Sequence, residues 1–241
     1  MAKFCTKCGK KLEDGQVCDC SKEVTTETVK TGNGFDINEI VNSYVEMIKG
    51  IFVKPVDTIK KFATSNNFVL GLISLALNCI VCGIFAYCVA SEMVNLLSSF
   101  MGFGSYESFG IITSSIEVPF LKTFFYSFLY TAVNYIVLIA MIYVMASVVF
   151  KSKTDFKKIF SLIGVCSVFT TITTVAAIIL NYISVKLMIV VLLVASMFYL
   201  VYVYQGIGET TDVDKNKLAY VFVPALSVAT FVVLYILPKL L

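Results

Sequence analysis

From residue 68 onward the apolar positions no longer alternate with polar ones but fuse into long runs. No charged residue occurs between Lys61 and Glu92, and further charge-free runs cover 123–150, 159–183, 187–207 and 218–237. At about 1.5 Å per helical residue, each run is long enough to cross a hydrocarbon layer about 30 Å thick. The pattern predicts an α-helical multi-pass membrane protein with about five spans. The least marked boundary is at Ser184-Val185-Lys186, where one lysine separates two runs. Because 159–207 is about twice the length of one crossing, a hairpin is expected there rather than a kinked single span.

A different pattern precedes the spans. Ile37, Ile40, Val41, Tyr44, Ile48, Ile51 and Phe52 recur at helical spacing with Asn38, Glu39, Asn42, Glu46 and Lys49 between them, as in an amphipathic helix. Lys54-Pro55 breaks it, and Val56, Ile59 and Phe62 restart an apolar face beside Lys60 and Lys61. The residues 35–64 therefore read as cytoplasmic amphipathic or interfacial helices. They are either solvated helices packed on the membrane domain or interfacial helices whose Lys54, Lys60 and Lys61 meet anionic headgroups, at about 1 kcal/mol per lysine. Residues 21–34, rich in Thr, Lys, Glu and Gly, have no apolar period. They form a flexible linker of roughly 20 Å root-mean-square span. The domain order is then 1–20, 21–34, 35–64 and a five-span domain over 65–241. The connection from Ser91 to Lys122, half apolar with Met93, Leu96, Leu97, Phe100 and Phe103, is expected to lie on the membrane surface as a short separate helix.

Lysine placement sets the expected orientation. Lys54, Lys60 and Lys61 precede the first span, Lys151, Lys153, Lys157 and Lys158 fill the second connection, and Lys215 and Lys217 the fourth; the other side has Lys122, Lys186 and Lys239. The positive-inside rule puts the N-terminus in the cytoplasm and the C-terminus outside, with the bacterial cell membrane the expected location.

Composition narrows the chemistry. The chain is 58% hydrophobic with mean hydropathy +0.87 and formal charge +3, and it contains no Arg, His or Trp. Without His there is no His-based triad, proton shuttle or His metal ligand. The scattered lysines make no basic face for nucleic acid. No Asp, Glu, Lys or Arg lies inside a predicted span, whereas coupled transporters use such groups. Asn78, Asn134 and Asn181, with Thr170, Thr171, Thr173 and Thr174, read as interhelical hydrogen-bonding groups ahead of a permeation path. Cys79-Ile80-Val81-Cys82 has redox spacing, but its mid-bilayer depth disfavours thiolates, so these cysteines, Cys88 and Cys166 read as packing residues. Phe124, Phe125 and Tyr126 at one end of the second span, and Tyr199, Tyr202 and Tyr204 near the end of the fourth, suit interfacial aromatic belts.

The remaining chemistry is at the start of the chain. Cys5-x-x-Cys8-Gly9 forms a knuckle that aims two sulfurs at one ion, and Cys18-x-Cys20 supplies two more. A segment of about twenty residues cannot bury enough apolar surface to fold alone. Structural zinc, worth roughly 10–16 kcal/mol in small peptides, would supply the difference. Cys5, Cys8, Cys18 and Cys20 are thus the candidate ligands of a structural zinc, with iron or plain thiols as alternatives; a disulfide is disfavoured in a reducing compartment.

Two resemblances follow. Phe4-Cys5-Thr6-Lys7-Cys8-Gly9-Lys10-Lys11-Leu12, continuing through Gly15 to Cys18-Asp19-Cys20, resembles the N-terminal zinc ribbon of many bacterial membrane proteins. The amphipathic segment with Lys54-Pro55, the five spans and the short tail resemble the bacterial branch of the Yip family, whose eukaryotic members bind Rab GTPases and help vesicle traffic. The Asp-Leu-Tyr-Gly-Pro-type motif of those eukaryotic members is absent from this chain. Together the features imply a non-enzymatic membrane adaptor or scaffold whose head recruits a cytosolic protein; the alternative is a small-molecule or lipid transporter regulated by the head. The expected partners are the lipid bilayer, a cytosolic protein and a second copy of the chain.

Overall fold

The computed structural model describes residues 3–4, 11–12, 37–64, 68–102 and 118–240. It divides into two compact units, 1–37 and 38–241. In the first, strands β1 (Lys3–Phe4) and β2 (Lys11–Leu12) pair antiparallel, with Lys3 opposite Leu12 and Phe4 opposite Lys11. Cys5, Cys8, Cys18 and Cys20 lie outside the described residues.

The second unit is helical among the described residues. Helix α1 (Ile37–Val53) and α2 (Pro55–Thr64) meet at Lys54. Pro55 is the first residue of α2, where its missing N–H costs nothing. Five longer helices follow: α3 (Phe68–Gly102), α4 (Phe120–Val144), α5 (Phe156–Ile183), α6 (Val185–Thr210) and α7 (Leu218–Phe231), with a last turn α8 (Leu237–Leu240). A π-helical turn extends α4 through Val149, and another joins α7 to α8 over Val232–Ile236. Five stretches are long and apolar enough to cross a bilayer: Phe68–Met93, Phe120–Val149, Phe156–Ile183, Val185–Thr210 and Lys215–Ile236. The chain is an integral membrane protein. A helix is the natural outcome, since apolar surroundings leave backbone polar groups no partner outside the segment.

The boundaries have local causes. Asp155 caps α5, its carboxylate accepting from the Lys157 N–H at 3.0 Å. Asp214 accepts from the Asn216 N–H at 2.9 Å at the turn that leads into α7. Ser184 alone, in extended conformation, separates α5 from α6, and the two helices then pack along each other. The hairpin at Ser184-Val185-Lys186 is therefore real. The separate surface helix expected after Ser91 is not: α3 continues unbroken to Gly102. Residues 91–101 contain neither Gly nor Pro, so adding residues to an existing helix wins over a new nucleus.

Helices α3 and α5 make the closest contact of the bundle. Gly164 lies directly on the Gly71 backbone, where a Cβ at position 164 would stand 2.8 Å from the Gly71 carbonyl oxygen. Ile163, Val165, Cys166, Val168 and Leu162 fill the surrounding core with Leu138, Ile139 and Ile142 of α4 and Val203 and Ile207 of α6. At one end of the bundle Ser152 joins two connections, its hydroxyl accepting from the Asp212 N–H at 3.0 Å. That brings the lysine-rich loop after α4 beside the loop after α6.

Candidate functional site: a polar knot and a docked helix pair

Tyr135, Thr170 and Thr171 converge on Asn78 of α3. Its amide nitrogen donates to Thr170 Oγ1 and Thr171 Oγ1 of α5, each at 3.0 Å, and lies 3.4 Å from the Ser167 carbonyl. Its amide oxygen accepts from the Tyr135 hydroxyl of α4 at 2.8 Å and faces the Cys82 thiol at 3.5 Å. One buried amide thus ties three spans together. Thr170 and Thr171 also donate to the Ser167 carbonyl, at 2.9 and 2.8 Å. They reach Asn78 as acceptors without giving up their own bonds. Thr173 is bonded within α5, to Phe169 O at 3.0 Å. Asn78, Tyr135, Thr170 and Thr171 are thus engaged with one another.

The other two asparagines differ. Asn134 is half-buried, one residue before Tyr135. Asn181 is 5% exposed and its amide nitrogen has no partner among the described residues; the buried Tyr199 hydroxyl is in the same position. Tyr199 and Tyr202 turn inward instead of forming an aromatic belt, Tyr202 packing on Phe169 at 5.2 Å. They share the face of α6 that carries Val203 and Ile207 into the core. At the opposite end Tyr126 is exposed, while Phe124 stacks among Phe120, Phe125 and Phe128. Cys79, Cys88 and Cys166 are buried, and all three are free with Cys82.

Helices α1 and α2 form a hinged pair on the bundle. Gly50 admits the Thr58 side chain at their crossing, and Thr58 donates to the Lys54 carbonyl at 2.8 Å. Met47 and Ile51 of α1 and Ile59 and Ala63 of α2 are buried. Burial pushes the Tyr44 phenol pKa upward, with the Ser74 hydroxyl beside it pulling in the other direction. Phe52, half exposed, touches Phe169 of α5 at 5.6 Å. Ile59 packs where Gly206 of α6 leaves room.

Two of the three lysines placed at headgroups, Lys60 and Lys61, have carboxylate partners. Lys60 pairs with Glu209 at 2.8 Å, and that bond holds its ammonium pKa above the usual range. Lys61 pairs with Glu46 and lies 5.3 Å from the Phe62 ring centre. Lys54 sits at the bend between α1 and α2. Both paired lysines stay more than half exposed, so the ion pairs fix α2 to α6 and α1 to α2 at little energetic gain.

This arrangement, a helix pair docked on five spans, is matched by a known family. The Yip1 domain covers residues 49–237. The chain belongs to the Yip1 family. Members of this family are membrane proteins generally associated with membrane trafficking, and the match runs from the middle of α1 to the last turn. No curated protein and no solved structure matches the chain.

Sequence reasoning missed Tyr135, Glu209 and the Gly71–Gly164 contact. Tyr135 directly follows the asparagine that was singled out. Glu209 stands where an apolar run ends, and Gly71, Ser74 and Asn78 share a helical face with spacing three and four.

Proposed function

We propose that the chain is a non-enzymatic adaptor of the bacterial cell membrane, with its N-terminus cytoplasmic and its C-terminus external. The head recruits a cytosolic protein partner, and the five-span body holds it at the bilayer. The observation that supports this most is the Asn78 knot: Asn78, Tyr135, Thr170 and Thr171, from the first three spans, bond one another rather than lining a path. The α1–α2 pair, packed on the bundle through Met47, Ile51, Ile59 and Ala63, suits a platform at the membrane.

Cys5, Cys8, Cys18 and Cys20 would hold the structural zinc of the head. The donor set supports the fit, because Cys5-x-x-Cys8 and Cys18-x-Cys20 offer four thiolates, the ligand set of a closed structural zinc site. Zinc bound there supplies folding energy to a segment too small to have a core. Lys3, Lys7, Lys10 and Lys11 offset the charge of about −2 that four thiolates leave on the ion. Crosslinking in intact cells, with Cys5→Ser as the control, tests the reading: a cytosolic protein captured by the wild-type chain and lost in the variant supports it.

A second reading, a small-molecule or lipid transporter regulated by the head, rests on the unpartnered Asn181 amide and Tyr199 hydroxyl. Liposomes containing the purified chain decide between the two. Solute movement abolished by Asn134 or Asn181 substitution would replace the adaptor.

A further inference from the structure

A cavity of about 690 Å³ opens between α3 and α4, at the end of the bundle where α4 begins. Its wall is one stripe of α4, Pro119, Lys122 with Thr123, Tyr126 with Ser127, and Tyr130, faced by Ala86 of α3. The residues follow one another at one helical turn, so the stripe runs about 16 Å from Pro119 to Tyr130, roughly half the depth of a hydrocarbon core. Its volume is in the range of small-molecule sites.

The chemistry changes along this length. At the mouth stands Lys122, exposed and without an ion pair among the described residues. Thr123 is beside it, and the first turn of α4 has no side-chain cap, leaving its amide end open to negative charge. One turn deeper, Ser127 is already committed to the Cys82 carbonyl at 3.1 Å, whereas Tyr126 shows its phenol at the surface. Around the stripe, Leu121, Phe125 and Leu129 are exposed and apolar. A cation and hydroxyls at the membrane boundary, with an apolar channel leading inward, match one class of molecule.

We propose that this cavity is a binding site for a single anionic phospholipid of the leaflet at the α4 N-terminal end. Its phosphate pairs with Lys122 and Thr123 at the level of Ala86, its ester region lies at the level of Tyr126, and an acyl chain continues past Tyr130. A soluble anion satisfies only the mouth and leaves the inner two turns of the stripe empty. A zwitterionic lipid fills the channel but brings a second cation to Lys122. The site is independent of the zinc head and of the α1–α2 pair, so it stands or falls separately from the adaptor reading.

Native mass spectrometry of the purified full chain in detergent tests it, using phosphatidylglycerol and phosphatidylcholine with identical acyl chains. The expected result is one retained phosphatidylglycerol per chain, bound at least fivefold more tightly than phosphatidylcholine, the factor equivalent to about 1 kcal/mol for one lysine at a headgroup. Lys122→Gln removes that preference and Lys122→Arg keeps it. Ala86→Leu narrows the mouth and weakens both lipids. Lys186→Gln, a lysine outside the cavity, changes nothing. Equal retention of the two lipids by the wild-type chain overturns the proposal, as does an undiminished preference in Lys122→Gln. Release of the lipid by millimolar inorganic phosphate also overturns it, in favour of a soluble-anion site.

Discussion

Replacing Asn78 by Leu removes the amide that joins α3, α4 and α5, and the structure says which partner suffers. Thr170 and Thr171 keep their bonds to the Ser167 carbonyl, so they lose only an optional neighbour. Tyr135 donates to Asn78 and is 9% exposed, so its hydroxyl is left buried without an acceptor. An interhelical bond in a membrane contributes about 0.6 kcal/mol on average. A stranded buried donor costs about 1–3 kcal/mol. Asn78→Leu is therefore expected to destabilise the bundle by roughly 2–4 kcal/mol, most of it from Tyr135. Tyr135→Phe alone, which leaves Asn78 bonded to two threonines, should cost about 1 kcal/mol. The double variant then becomes the decisive one: with no hydroxyl to strand, Asn78→Leu/Tyr135→Phe should be more stable than Asn78→Leu. SDS titration in mixed micelles measures all four proteins. With 13 Tyr and no Trp, tyrosine emission is the signal. Additive losses in the double variant would refute the assignment of the cost to Tyr135.

Further expectations concern separate parts of the chain. Gly164→Val presses a branched side chain onto the Gly71 backbone and should cost at least 1–3 kcal/mol, read in the same titration; a neutral result would mean that α3 and α5 do not touch there. Metal analysis should find one zinc per chain, lost in Cys8→Ser/Cys18→Ser while membrane insertion persists. Reporters at residue 2 and near Lys153 should be cytoplasmic, and tags near Ser105 or after Leu241 external; a cytoplasmic tag after Leu241 would contradict the five-span topology. Polar replacement of Ile48, Ile51 and Phe52 should release α1 and expose it to protease in inverted vesicles. Ile51 carries most of that effect, because it is fully buried whereas Phe52 is half exposed, and burial of one such side chain is worth about 1.5–3 kcal/mol.

The spans were legible because bilayer crossing imposes a length and forbids charge, and both constraints act on consecutive residues. The break at Lys54-Pro55 was legible for a similar reason, since proline acts locally. What stayed hidden depends on which helices become neighbours. Asn78 stands out in an apolar run as a polar residue in need of partners, but nothing in its surroundings names Tyr135, fifty-seven residues away. The lysines before the first span are equally ambiguous: sequence places Lys60 at a membrane surface, and only the packing of α2 on α6 brings Glu209 within bonding distance. Tyr199 and Tyr202 have belt composition and belt position, yet the rotation of α6 about its axis points them inward.

The separation along the chain between Asn78 and its partners has a consequence in time. Tyr135 follows it by fifty-seven residues and Thr170 by ninety-two. At a synthesis rate of about 5–20 residues per second, α3 waits roughly 5–20 s before α5 has even been made. During that interval the Asn78 amide nitrogen must remain near water, take a temporary partner in the insertion machinery, or stay bare in lipid. The residue that locks the finished bundle is thus its most exposed liability during biogenesis, and a cell short of insertion factors should lose this protein at the stage between the second and third spans.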